Sequence, residues 1–333
     1  MGCALSCTIH RFLGEGLARI EWVIGSSIER ASVDRMVLKY AGVIEKYIPT
    51  IAEEIHGLAD GAEISIEDAY LLQMRREVIA GMAGDCTTIA IARLHRCIAQ
   101  TIDLPGSFAD LPVVVYSKDD KKSILQLTFV GLLGYVGLNN RGLAVGINMV
   151  LSDGWSPGIP PYLIVRRLLE LDSVEECLEE LSRLPRASSR CYTLLDDKNL
   201  VQVETTCTQM AVIEGNSLIH TNHYLSTELA KYDRSHIIHR RNSRQRLTRV
   251  KTELESLTVA QRGLGRDIEP AGLFTLLTAH DAPPICIHGN GDPRRFETVA
   301  AVVISSKEGQ MLARRGPPCQ AATQIYQLEK TTL

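Results

Sequence analysis

The chain has 333 residues and a mass of 36.8 kDa, enough for a large core in one α/β domain or two small ones. Hydrophobic residues make up 45% and charged residues 23%, and the net charge is -3 with both signs interspersed. That balance excludes a disordered chain and offers no basic footprint for nucleic acid.

No apolar run approaches the roughly 18 residues of a membrane span. No charged n-region leads into an apolar stretch as in a secretory signal, so a cytoplasmic protein is expected. The opening Met1-Gly2-Cys3-Ala4-Leu5-Ser6 fits the loose myristoylation pattern, with Cys3 as a second acylation candidate. A pattern that short recurs often by chance. The nine cysteines are odd in number, scattered, and lack any Cys-x-x-Cys. That spacing argues against a zinc ribbon and a disulfide framework, and for reduced, mostly buried thiols.

In chain order, apolar residues at three- and four-residue spacing predict helices over 16–35 and 36–58, with Gly61 as C-cap. Ser65 is placed to N-cap a further helix running towards residue 79, with Asp68 three residues on. After Gly81-Met82-Ala83-Gly84 the period drops towards two. Strands are predicted over 87–94, 97–102, 113–117, 124–130, 135–139 and 143–149. Asn139-Asn140-Arg141-Gly142 is a hairpin turn signal. Helices follow over 162–171 and 174–184, then strands over 191–195, 201–205, 210–213 and 218–221. Helical blocks cover 225–257 and 271–278, and strands over 299–304 and 310–313 close the chain. Helices come in blocks and strands in hairpin runs, which fits antiparallel sheets covered by helices rather than a doubly wound parallel sheet. With no repeat or flexible linker in sight, one domain is expected over 1–333.

The basic cluster from Arg234 to Lys251 lies in a helical stretch and reads as a solvated face. His220 and His223 sit three apart at a strand end, where side chains alternate faces. His236 and His239 lie on a helix without the Glu of His-Glu-x-x-His, so no metal site is expected from these four. Gly263-Leu264-Gly265-Arg266 and Gly289-Asn290-Gly291-Asp292 lack the strand-to-helix context of nucleotide-binding loops.

The most informative point is Gly84-Asp85-Cys86-Thr87-Thr88, a cysteine where a helical block meets the first strand. A stiff strand holds such a thiol, and the glycine before it permits a tight turn. These five residues alone leave a buried structural cysteine and a nucleophile both open.

Five motifs in order add to that reading. They are Ala52–Ala62 with Ser65-Ile66-Glu67-Asp68, then Gly84-Asp85-Cys86-Thr87-Thr88, then the stretch from Gly137 to Asn148. His220-Thr221-Asn222-His223 and Arg315-Gly316-Pro317-Pro318-Cys319 complete the set. Together they resemble the family of acyl-coenzyme A:6-aminopenicillanic acid acyltransferase, peptidase family C45, within the N-terminal nucleophile hydrolases. The resemblance implies an α+β fold, an αββα sandwich of two antiparallel sheets between helix layers. It also implies autoproteolysis between Asp85 and Cys86 into a 1–85 and an 86–333 segment that stay associated, with a homo-oligomer left open.

By the same resemblance Cys86 is the nucleophile, Asp103 orients the new ammonium or the thiol, and Asn222 is the oxyanion donor. Asp103 before Pro105 also suits a plain surface turn. Where many members carry aromatic residues around this aspartate, Ile102 and Leu104 stand here. Thr87 and Arg315 are candidates for substrate contact, and no cofactor is implied beyond acyl-CoA as a co-substrate. The expected activity is cleavage of a linear small-molecule amide through a Cys86 thioester, with water or an amine taking the acyl group. Three alternatives stand beside it: an acyl-CoA-dependent N-acyltransferase, a papain-like thiol hydrolase pairing Cys86 with His220 or His223, and a non-catalytic binding protein.

Overall fold

Alternation along the strands sets the layers. The computed structural model describes residues 1–24, 29–74, 77, 85–292 and 294–329. The glycine-rich turn at 81–84 and the expected helix end near 79 lie outside the described residues, but the helix that begins after Ser65 already breaks at Met74, whose backbone is non-helical at φ -126°.

Strands β1 (Asp85–Ile91), β2 (Cys97–Pro105), β10 (Ser217–His220), β11 (Phe296–Ser305), β12 (Gln310–Arg315) and β13 (Gln324–Gln327) form one antiparallel sheet in the order β10-β1-β2-β11-β12-β13. Strands β3 (Pro112–Lys118), β4 (Ser123–Phe129), β5 (Val136–Asn139), β6 (Ala144–Met149), β7 (Arg190–Leu195), β8 (Leu200–Thr205) and β9 (Met210–Glu214) form the second, in sequential order. The two sheets face each other, with β1 and β2 against β6 and β7. Gln100 of β2 ties them: its amide accepts from the Ile147 N–H at 3.2 Å and donates to the Ile147 carbonyl at 2.8 Å. Gly146 makes room for that amide, because a Cβ there would meet Gln100 Oε1 at 3.1 Å.

The odd-numbered residues of β1 point the other way. Ile89 and Ile91, with Cys97 and Ala99 of β2, pack against Val250 and Leu254 of helix α7 (Ile237–Gly263) and Phe274 and Leu277 of α8 (Phe274–Leu277). Each buried isoleucine, valine, leucine or phenylalanine there is worth about 1.5–3 kcal/mol. Helices α5 (Pro161–Leu168) and α6 (Val174–Arg183) cover the second sheet. Helices α1 (Gly2–Ile24), α2 (Arg30–Tyr47), α3 (Pro49–Ala62) and α4 (Ile66–Gln73) pack together, and α3 touches α5. The result is the expected α+β sandwich of two antiparallel sheets between helices.

Several boundaries differ from the sequence reading. The predicted helix over 36–58 breaks at Ile48, because Pro49 cannot donate and disfavours helical geometry in the residue before it. Gly61 is not the C-cap: α3 runs one residue further, and Glu63 takes the left-handed conformation at φ 56°. Gly61 instead lets α1 approach, since a Cβ on Gly61 would meet the Cys3 backbone nitrogen at 3.2 Å. The helix predicted from 225 starts only at Ile237, because the Glu204 carboxylate accepts the N–H groups of Leu225 and Ser226 and holds that stretch as turns. Strand β13 was not foreseen. Ser65 caps α4 as expected, accepting from the Asp68 N–H at 3.1 Å. The 139–142 turn also forms, with Gly142 at φ 84° and Asn139 Oδ1 accepting from Arg141 and Leu143. Among the described residues, no helix is long and apolar enough to cross a membrane.

Candidate active site

Cys86 is the second residue of β1 and is 4% exposed. Strand alternation puts it on the face shared with Ala90, towards the second sheet, while Thr87 faces the helices. Its backbone is gripped from both ends. The Cys86 N–H donates to Asn222 Oδ1 at 3.0 Å. The Cys86 carbonyl accepts from Arg246 Nη1 at 3.0 Å and more loosely from Asn148 Nδ2 at 3.4 Å.

Arg246 is the residue that sequence reasoning missed. The 234–251 cluster was expected to be a solvated face, and most of it is; Arg246 is the correction, with no exposed surface. It lies on the buried stripe of α7, Ser243, Arg246, Val250 and Leu254, whose spacing of three and four was the available signal. Its guanidinium also donates to Thr87 Oγ1 at 2.8 Å, to Asn222 Oδ1 at 2.8 Å and, through Nε, to Asn242 Oδ1 at 2.7 Å. A buried cation needs such a set of acceptors.

Asn222 therefore stands beside Cys86, as expected. Its Oδ1 accepts from Cys86 and Arg246, while its Nδ2 donates to the Met149 carbonyl at 3.1 Å. The reverse amide orientation would set an NH₂ against two donors, so the network fixes the assignment. One Nδ2 hydrogen serves Met149, and the amide carries a second.

Asp103 is fully buried, which removes the surface-turn reading. It pairs with Asp85 across β1 and β2, while Cys86 pairs with Ile102. Thr298 donates to Asp103 Oδ1 at 2.7 Å, and Thr101 lies 3.4 Å from Oδ2. Thr101 also accepts the Thr87 N–H at 3.1 Å. By alternation Asp103 belongs to the face of Thr87 and Thr101, so it sits beside the Asp85–Cys86 peptide rather than on the thiol's side. Thr87 is fully buried with its hydroxyl turned to Arg246. Arg315 lies on the same cross-sheet row as Cys86, through Ile102 and Ala300, but two strands beyond β2. Its exposed guanidinium donates to the Asp110 carbonyl.

The histidines at the end of β10 are structural partners. His220 Nε2 meets Glu204 Oε1 at 2.8 Å and its Nδ1 meets the Thr221 carbonyl at 2.8 Å, so both ring nitrogens are engaged. Burial pushes the Glu204 carboxyl up, but His220 and the N–H groups of Leu225 and Ser226 outweigh it and hold it below the usual range. His223 bonds Ser243 Oγ through Nδ1 at 2.7 Å. Burial, with repulsion from His220 and Arg244, lowers it to about 4, so it is neutral at physiological pH. This geometry does not offer His220 as the base of a papain-like pair. Burial raises the Cys97 thiol to about 12 and also raises Cys177 and Cys191, which makes them inert near neutral pH. Elsewhere, His280, Cys286, His288 and Cys319 gather with their ligand atoms within 4.8 Å of one another. The absence of familiar metal spacings had given no sign of that group.

Two antiparallel sheets between helix layers, with a buried cysteine at the start of a strand, define the fold of the N-terminal nucleophile hydrolases. The chain belongs to the acyl-coenzyme A:6-aminopenicillanic acid acyl-transferase family, whose pattern matches residues 95–317. That match begins after Cys86 and takes in Asp103, Asn148, Asn222 and Arg246. The chain is 27% identical over 207 residues to the acyl-coenzyme A:6-aminopenicillanic-acid-acyltransferase 40 kDa form of Emericella nidulans, over 59% of this chain. It spans 58% of the length of that curated relative. Two solved structures of variants of the conjugated bile acid hydrolase from Clostridium perfringens share the fold. They superimpose with TM-scores of 0.51 and 0.50 at 12% identity, covering 74% of this chain and 98% of theirs.

Proposed function

We propose that this chain is a self-processing cysteine amidohydrolase or acyltransferase that cuts its own Asp85–Cys86 bond and then uses Cys86 on linear amides. The observation that carries the reading is the double grip on Cys86: Asn222 on its nitrogen and Arg246 on its carbonyl, at the buried start of a strand.

In the first step Cys86 Sγ attacks the Asp85 carbonyl carbon. Collapse expels the Cys86 nitrogen and leaves a thioester, which water hydrolyses to the Asp85 carboxylate and a free Cys86. The new α-amine has an ordinary pKa of roughly 7.7–8.0 and acts as base for its own thiol. Asn222 Oδ1 already accepts from that nitrogen, so the amine is oriented as soon as it forms. The neighbouring Arg246 cation disfavours a second positive charge there and so favours the base form. The second Nδ2 hydrogen of Asn222 is the donor assigned to the oxyanion. In turnover the thiolate attacks the substrate carbonyl, the amine leaves with the proton, and water or an amine takes the acyl group from the thioester. Acyl-CoA enters this scheme as an alternative acyl donor to the same sulfur.

Denaturing mass spectrometry of fresh wild-type protein should show two species, one ending at Asp85 and one beginning at Cys86. Cys86→Ala should remain one inactive chain. A cut Cys86→Ala protein would show that another group performs the cleavage and would sink the mechanism. Release of acyl groups to water, against transfer from acyl-CoA to an amine, then separates hydrolase from acyltransferase.

A further inference from the structure

Four side chains that this reaction does not use converge near the start of β11 and the end of β12, the end of the sheet at which β1 begins. His280, Cys286 and His288 come from the segment between α8 and β11, and Cys319 from the turn after β12. His280 Nε2 lies 3.1 Å from His288 Nε2, and Cys286 Sγ lies 3.6 Å from Cys319 Sγ. His288 Nε2 is 3.7 Å from Cys286 Sγ and 3.3 Å from Cys319 Sγ.

Those four separations fall on edges of a metal tetrahedron, and the two remaining edges, from His280 to the sulfurs, lie within 4.8 Å. With bonds of about 2.3 Å to sulfur and about 2.0–2.1 Å to nitrogen, tetrahedral zinc sets its two sulfurs about 3.8 Å apart. The same bonds set the two nitrogens about 3.3–3.4 Å apart and each sulfur–nitrogen pair about 3.5–3.6 Å apart. The four distances given above agree to within a few tenths of an ångström. A disulfide would need its sulfurs about 2.05 Å apart and would leave two imidazoles turned towards it for no reason. Two thiolates and two neutral imidazoles balance a divalent charge and satisfy the preference of zinc for soft ligands.

We propose that His280, Cys286, His288 and Cys319 form a structural zinc site. Four protein ligands close the coordination sphere, so the ion holds structure rather than activating water. What it holds is specific. Between two ligands, Ile287 exchanges bonds with Thr298: the Thr298 N–H donates to the Ile287 carbonyl at 2.9 Å, and the Ile287 N–H donates to Thr298 Oγ1 at 2.9 Å. Thr298 in turn donates to Asp103 at 2.7 Å. The ion thus clamps the 280–288 segment to the turn carrying Cys319, and through Ile287 and Thr298 it steadies the aspartate beside the Asp85–Cys86 bond. The site does not depend on whether that bond is cut.

The test is elemental analysis of the full chain purified without chelator and under reducing conditions. About one zinc per chain is expected, as for a closed structural site. His280→Ala and Cys319→Ser remove exposed ligands, so both variants should fold yet lose most of the metal. Cobalt added to metal-stripped wild type should give the visible bands of a tetrahedral thiolate site, absent in both variants. A chelator should lower the melting temperature of the wild type and leave the variants' unchanged. The proposal is overturned if reduced wild type neither carries nor takes up zinc or cobalt, or if both variants keep a full equivalent. It is equally overturned if Cys286 and Cys319 are found as a disulfide that persists when zinc is supplied.

Discussion

Replacing Arg246 with Met keeps much of the side chain's length and removes its charge and all its donors. The structure lets the cost be apportioned. Of the four acceptors described above, two keep another donor: the Cys86 carbonyl has Asn148, and Asn222 Oδ1 has the Cys86 N–H. Asn242 is only partly buried and can turn to water. The unmet cost falls mainly on fully buried Thr87 Oγ1, about 1–3 kcal/mol for an orphaned polar group. Removing a buried cation also relieves its desolvation, which offsets part of that. The melting temperature should therefore fall by only about 2–5 °C. Self-cleavage should fall much further, by about 10²-fold, because Asn222 and the Cys86 backbone lose the group that aligns both beside the scissile bond. The assay is the fraction of intact chain against time, read by denaturing mass spectrometry, beside a melting curve. Arg246→Lys restores the charge without the fork and should recover only part of the rate. A folded Arg246→Met protein that processes at the wild-type rate would refute this account of Arg246.

Asn222→Ala should fold but lose about 10²–10³ in both processing and turnover, since one amide serves the Cys86 nitrogen and the oxyanion; near-normal rates in either assay would remove it from the site. His223 gives a pH signature. Its proton affinity is lower in the fold, about 4, than in the unfolded chain, about 6.5, so the unfolded state takes up the proton first. Its contribution to stability is fully present above about pH 6.5 and is lost as the pH falls towards about 4. His223→Gln should flatten the fall in melting temperature across that window, and an unchanged slope would show that the group does not carry it.

Much of this site was legible in the chain. Cys86 stood out because a change of period from helix to strand marks a boundary, and boundaries are local properties. Asn222 and Asp103 were reached through resemblance, and the fold sets both next to residue 86. Arg246 escaped because it sits among exposed arginines, and charge composition cannot tell which one a helix turns inwards. The error at Gly61 had the same origin: its role is an approach between helices far apart in sequence.

The sequence by itself determined the layered α+β class, the order of its elements and the cysteine at the first strand. Period, capping residues and turn residues act over a few positions and need no partner. Only the tertiary structure decided which side chains meet. Residues 86, 148, 222 and 246 converge because β1, β6, the turn after β10 and α7 pack at one point. Residues 280, 286, 288 and 319 converge because β11 and β12 bring two loops to one end of a sheet. Their spacings match no local motif, since a ligand set closed across strands is fixed by register and packing rather than by distance along the chain.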